Sequence, residues 1–264
     1  VGNQSEKMDL HRLTKDGRRL WYFFRIIQQP SIGRAAGSGP SAVADRRPID
    51  PPPVLQLRIF EGDNMDYVQD ITPMYLAQFF AYASIEGVQQ GGRLLIAKKT
   101  AAILGTTVAG SSFLNQPEPA YYFVFDDLSV QFEGQYFLKF DLYEQQMLDM
   151  DRDALLGESD HVDIESNNYF SHRQSISSAA FSVVPPKRFK GFTYSTGLSW
   201  VLAEQGIRIR IRSDLRAMRK AGCLKQDPLA SVAATAWSRT DQSFITSRPS
   251  LPSLTEALQF VDDG

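Results

Sequence analysis

Residues 207–212 read Ile-Arg-Ile-Arg-Ile-Arg, and residues 135–143 set Tyr136, Leu138, Phe140 and Leu142 against Lys139 and Asp141. A period of two is the spacing of a strand with one face in the core and one in water. Aromatic and β-branched runs mark further strands at residues 18–28, 54–60, 77–85, 121–125, 128–132 and 181–184. Residues 94–96 continue the pattern, and residues 101–114 carry one strand or a pair, broken at Gly105 or Gly110. Turn chemistry separates these runs: Pro30, Glu61-Gly62-Asp63-Asn64, Gln89-Gln90-Gly91-Gly92 and Pro185-Pro186. Residues 31–45, rich in Gly, Ala and Ser, read as a flexible loop, and Pro48, Pro51, Pro52 and Pro53 favour a stiff polyproline-II segment. One helix fits residues 198–205, with Ser195 or Thr196 as cap and Gly206 as stop. Short helices over 145–156 and 254–261 fit less well. Many short strands with frequent turns and little helix predict an all-β sandwich or barrel.

Composition narrows the function classes. The chain has 264 residues, 43% hydrophobic and 22% charged, with a net charge of −2. That balance excludes wholesale disorder and histone-like coating of nucleic acid, but not a local basic face. Its one cysteine, Cys223, excludes an internal disulfide framework and a CxxC metal knuckle. No apolar run approaches the ~20 residues of a membrane helix, so no membrane partner is expected. The polar start does not resemble a signal peptide, and the expected setting is intracellular.

A search for catalytic chemistry finds no constellation. His11 lies near the start, while His161 and His172 fall in an acidic, weakly periodic stretch from Glu144 to Gln174. Gly37-Ser38-Gly39 lacks the spacing of a nucleophile elbow, residues 37–42 lack the Gly-Lys-Ser/Thr of a phosphate loop, and HExxH is absent. Asp149, Asp151 and Asp153 lack the Gly and Glu offsets of an EF-hand and read as a solvated acidic loop. The expectation is a non-enzyme with no cofactor and no metal.

The basic residues say more. Arg208, Arg210 and Arg212 fall on one face of their predicted strand, and Lys187, Arg188 and Lys190 lie upstream. Two readings stay open for them: a solvated outer face, or a surface that positions nucleic-acid phosphates. Arg46 and Arg47, before the proline run, either present two guanidinium groups to a partner or form a salt bridge to Asp45 or Asp50. Arg12, Lys15, Arg18 and Arg19, beside His11, are a candidate nuclear-import signal or an ordinary basic surface.

Particular strings then point to a family. Gln28-Gln29-Pro30, Arg34-Ala35-Ala36-Gly37 and Asp45-Arg46-Arg47-Pro48-Ile49-Asp50-Pro51-Pro52-Pro53 resemble the opening of the fungal velvet domain. Tyr122-Phe123-Val124-Phe125-Asp126-Asp127-Leu128-Ser129-Val130 resembles its centre. Lys187-Arg188-Phe189-Lys190-Gly191 and Ala203-Glu204-Gln205-Gly206-Ile207-Arg208-Ile209-Arg210 resemble its close. Leu57-Arg58-Ile59-Phe60-Glu61-Gly62-Asp63 and Gly105-Thr106-Thr107-Val108-Ala109-Gly110 are similar to the VeA-like branch.

The resemblance implies an immunoglobulin-like β-sandwich, similar to a Rel homology region, over residues 11–220, with an acidic insertion at about 144–175. Residues 1–10 and 221–264 are then expected to be largely flexible. It further implies a transcriptional regulator coupling light and development to sporulation and secondary metabolism, shuttling between cytoplasm and nucleus. Its implied partners are a VelB-like velvet protein, a LaeA-like methyltransferase, importin alpha and double-stranded DNA. Arg34 joins Arg46, Arg47, Lys187, Arg188, Lys190, Arg208, Arg210 and Arg212 as candidates for DNA contact. Ala42, Val43 and Ala44 stand where DNA-contacting members carry lysines, which keeps a second expectation open: an adaptor bridging a velvet partner and a methyltransferase without touching DNA.

Overall fold

A computed structural model describes residues 10–37, 46–64, 67–87, 103–154 and 170–213. All of them belong to the first of two units, Val1–Cys223; the second, Leu224–Gly264, lies outside the described residues, as do the expectations placed on 94–96, 221–264 and the alanines at 42 and 44.

The described chain is an all-β sandwich with a single α-helix. The first sheet is built from β1 (Leu10–Leu13), β2 (Arg19–Gln28), β4 (Val54–Glu61), β5 (Gln69–Asp70), β9 (Ser112–Leu114) and β10 (Ala120–Val124). Its order is β1-β2-β4-β10-β9, all antiparallel, with β5 added to the end of β4. The second holds β3 (Ile32–Arg34), β6 (Ala77–Gly87), β8 (Val108–Gly110), β12 (Gly134–Gln146), β13 (Ser171–Ser177) and β14 (Phe181–Val184). Its order is β3-β14-β12-β6-β8, with β13 pairing the far half of β12 and with β3 and β14 parallel. β7 (Ile103–Leu104) and β11 (Ser129–Val130) form a small separate ladder.

The period of two becomes burial. Leu20, Tyr22 and Phe24 of β2 face Ala81, Ala83 and Ile85 of β6 and Tyr136, Leu138, Phe140 and Leu142 of β12 across one core. Rings close the gap between sheets, with Phe79 and Tyr121 centred 5.3 Å apart and Phe125 and Phe140 5.1 Å apart. The first half of β4 is buried on both faces, and at its start the helix α1 (Gly197–Glu204) lays Leu202 and Leu198 on Val54 and Tyr122 behind the sheet. Thr196 caps that helix, its hydroxyl accepting from the Ser199 N–H at 3.1 Å. Gly206, at φ +89°, stops it, with the Gly206 N–H donating to Ala203 O and the Ile207 N–H to Leu202 O.

Several expectations change. Residues 207–212 form no ladder: Ile207 closes the helix-terminal turn and packs behind the sheet, and the chain then continues without regular structure, its isoleucines half-buried and Arg208 and Arg210 exposed. The alternation is satisfied by burial without strand pairing. The acidic insertion is shorter than predicted at both ends, because β12 continues to Gln146 and β13 begins at Ser171. The helix over 145–156 reduces to a 3-10 turn at Asp149–Asp151. The flexible loop after Pro30 contains β3, and residues 103–114 make three short strands interrupted after both Leu104 and Gly110.

Candidate nucleic-acid interface

Asp50 organises one end of the sandwich. Its backbone pairs with β3, the Ile32 N–H donating to Asp50 O at 2.9 Å and the Asp50 N–H to Ile32 O at 2.8 Å. Its carboxylate is buried, at 4% exposure, and a buried charge must be paired. Oδ2 accepts from the Thr193 N–H at 2.8 Å and from Thr193 Oγ1 at 2.7 Å, while Oδ1 accepts from Arg212 Nη1 at 2.9 Å. The Arg212 guanidinium also lies 3.7 Å over the centroid of the Phe192 ring. The Ser195 N–H donates to Arg212 O and the Arg212 N–H to Ser195 Oγ, so the segments around 192–195 and 212 run side by side. Burial lowers the Arg212 pKa below the usual arginine value; Asp50 opposes that and Arg210 adds to it.

This frame brings together segments far apart in the chain. Arg34 ends β3 beside Val184, and the 3-10 turn Pro186–Arg188 with Lys187 and Arg188 follows directly. Lys187, Arg188, Lys190, Arg208 and Arg210 are exposed and form no ion pair with another described residue. Arg208 acts electrostatically on Asp126, whose pKa burial and Asp127 nevertheless raise. Arg47 is exposed as well. Arg46 is not: Nη1 donates to Asp127 O at 2.8 Å and Nη2 to Asp127 Oδ2 at 2.7 Å. Its partner is therefore Asp127 rather than Asp50, because the Ile49 N–H donates to Leu128 O and draws this segment onto the 125–128 loop; Asp45 lies outside the described residues. Gly105, at φ +101°, permits the clasp, since a Cβ there would meet Asp127 O at 2.0 Å and Arg46 Nη1 at 2.8 Å.

The candidate import residues occupy the other end and are committed to carboxylates and carbonyls. Arg12 is 9% exposed; its Nε donates to Tyr22 Oη at 2.8 Å, Nη1 to Asp151 O and Asp153 Oδ1, and Nη2 to Tyr75 Oη and Glu144 Oε1. Lys15 pairs with Asp149 at 2.5 Å, Arg18 with Asp16 at 2.6 Å and Asp151 at 2.5 Å, and Arg19 donates to Asp63 O. Arg12 is thus taken into the fold and Arg18 is half-buried, while Lys15 and Arg19 stay exposed.

The centre of that network is Glu144, fully buried, which accepts from Tyr22 Oη at 2.9 Å, Tyr75 Oη at 2.6 Å and Arg173 Nε at 2.5 Å. Burial, reinforced by Glu144, holds the Tyr22 and Tyr75 phenols well above their ordinary pKa. In the described part of the acidic run, Asp151 is buried, while Asp149 and Asp153 stay solvent-exposed, and all three take a basic partner; residues 155–169 lie outside the described residues. Among the described residues no group of three or more His, Cys, Asp or Glu is arranged to hold a metal ion. His11 packs on Trp21, and His172 sits exposed on β13, 3.1 Å from Ser175 Oγ and 3.6 Å from Asp141. Among the described residues no helix is long and apolar enough to cross a membrane.

Lys187, Arg188, Lys190, Arg208 and Arg210 lie on the connections after β14 and α1 rather than within the sheets, where a rigid β-scaffold commonly presents recognition residues. The velvet factor family model matches residues 22–102 and 92–215, and the chain belongs to that family. It is 46% identical over 217 residues to the developmental and secondary metabolism regulator ve-1 of Neurospora crassa, covering 80% of this chain and 39% of that protein. It is 44% identical over 217 residues to the regulator veA of Pyricularia oryzae, covering 81% of this chain and 36% of that one. The regulator MVE1 of Zymoseptoria tritici is 43% identical over 225 residues, covering 83% of this chain and 86% of MVE1. The chain therefore spans well under half the length of the first two.

Proposed function

We propose that this chain is the velvet domain of a non-catalytic regulator of development and secondary metabolism, acting through a second, VelB-like velvet protein and through contact with double-stranded DNA. The observation that carries the DNA contact is the group of five exposed cations, Lys187, Arg188, Lys190, Arg208 and Arg210, on segments that Asp50 and Arg212 hold together. Cations on a fixed backbone frame bind phosphate oxygens first and set the register from which bases are read. The relatives' names support the regulatory part of the reading. Recruitment of a LaeA-like methyltransferase, carriage by importin alpha and shuttling between nucleus and cytoplasm belong to the same proposal and rest on the family. For the import step, Arg12 and Arg18 are held in ion pairs, which leaves Lys15 and Arg19 as the exposed members of that set.

A second reading is the adaptor that touches no DNA. It is favoured by Arg46 and Arg212, two of the candidate contacts, being already neutralised by Asp127 and Asp50. Fluorescence anisotropy of a labelled duplex, with the chain alone and with a VelB-like partner at two salt concentrations, separates the two. DNA contact gives binding whose logarithm falls with log salt by about 0.9 per phosphate neutralised. Binding only with the partner makes the contact a property of the heterodimer, and no binding in either case leaves the adaptor.

A further inference from the structure

The basic end contains a hydroxyl in an unusual position. Thr193 is exposed, lies in a stretch without regular structure between a 3-10 turn and α1, and yet donates its hydroxyl proton to the buried Asp50 carboxylate at 2.7 Å. Lys190 stands three residues before it and Arg188 five before it, with Tyr194 directly after. That charge pattern is of the kind read by kinases that select basic residues upstream of the acceptor. Its neighbours differ: the Ser195 hydroxyl accepts from the Arg212 N–H, the Thr196 hydroxyl caps α1, and both residues are half-buried.

We propose that Thr193 is a phosphorylation site whose modification opens the Asp50–Arg212 latch and discharges the basic end. The chemistry needs ATP and a basophilic serine/threonine kinase. The γ-phosphoryl group moves to Oγ1, an O–P bond forms as the bond to the bridging oxygen breaks, ADP leaves, and the hydroxyl proton passes to the kinase's carboxylate base. The consequence follows from the 2.7 Å contact. That distance depends on the shared proton, and afterwards a group of about −1.5 to −2 charge faces a carboxylate that has no water to retreat into. The Thr193–Asp50 contact breaks, and the phosphate turns outward to compete for Arg212, which shares Asp50 with Thr193, and for Lys190, three residues earlier in the chain. Arg212 holds the frame of the proposed DNA contact and Lys190 is one of its cations, so the modification loosens the frame and offsets part of its charge. The DNA arm of this inference rests on that reading; the latch arm does not.

The test uses the full chain with ATP and the catalytic domains of two basophilic kinases, the cAMP-dependent kinase and protein kinase C. Mass spectrometry should place one phosphate on Thr193, and Thr193→Val should not acquire it while keeping the backbone donor to Asp50. Hydrogen exchange should then quicken at the Thr193, Ser195 and Arg212 amides of the phosphorylated chain and stay slow in Thr193→Val. Absence of phosphate on Thr193 with both kinases, or phosphate there with unchanged exchange at those amides, overturns the proposal. In the anisotropy titration the salt slope should fall by about 0.9 for each DNA phosphate no longer neutralised. An unmodified chain that binds no duplex refutes the DNA reading instead, and the exchange result then stands alone.

Discussion

The two ends of the sandwich solve the same electrostatic problem in opposite ways. Strand β4 runs from Val54, near Asp50, to Glu61, near Arg18. At each end a carboxylate is taken out of water, Asp50 at one and Glu144 at the other. Glu144 is surrounded by two arginines and two tyrosines that are themselves buried, so the charge there is closed off. Asp50 holds a single, partly exposed arginine and a threonine, and its effect is to fix backbone segments whose other cations stay outside. A buried acid can consume basic residues or position them. A chain with a net charge of −2 keeps a basic end because its acidic run is paired with Lys15, Arg18, Arg12 and Arg173 at the other.

The comparison breaks most visibly at Glu144. Glu144→Ala leaves Arg12 and Arg173 without their buried carboxylate, with only the half-exposed Asp153 between them, and should cost about 3–5 kcal/mol in urea denaturation. Asp50→Asn keeps the shape but loses the charge that holds Arg212, and should cost about 1–3 kcal/mol in the same assay. It should also lower duplex affinity, because the exposed cations lose their frame. If Asp50→Asn proves as costly as Glu144→Ala, the two ends do not differ in the way described.

Alkaline pH sharpens the contrast. The Tyr22 and Tyr75 phenols have folded-state values raised above the unfolded value of about 10. Their contribution is therefore complete below that pH and is lost as pH rises through and beyond it. Tyr22→Phe should cost about 1–2 kcal/mol at neutral pH and flatten the alkaline fall in stability. A stability–pH curve of equal alkaline slope in both proteins would count against the network.

The smallest structural effect belongs to the exposed cations. Lys187→Ala with Arg188→Ala and Lys190→Ala should change stability by less than about 0.5 kcal/mol per site. The salt slope of duplex binding should fall by about one for each cation that had been neutralising a phosphate. A variant that unfolds more easily but binds DNA unchanged would exchange the roles assigned to the two ends.

The strands were largely legible because their signal is local. Tyr136, Leu138, Phe140 and Leu142 declare a buried face by spacing alone, and Pro30, Gly62 and Gly206 declare where segments end. The helix was legible for the same reason, with its cap narrowed to Ser195 or Thr196, of which the structure uses Thr196. Residues 207–212 carry the same period without a ladder, because Ile207 was needed to close the helix turn and the alternation could be met by half-burial. The short strands β1 and β3 have too few residues to show a period.

The pairing of charges was not legible. Arg12 and Glu144 lie 132 positions apart, and Arg212 and Asp50 lie 162 apart. Nothing in the order of residues separates Arg12, which is buried, from Arg210, which is exposed. The amino-acid sequence by itself determined an all-β chain, its turns and the supply of basic residues. Only the tertiary structure decided which of them are neutralised, because an ion pair forms wherever sheet register and loop closure bring opposite charges out of water together, and that proximity is a property of the whole fold.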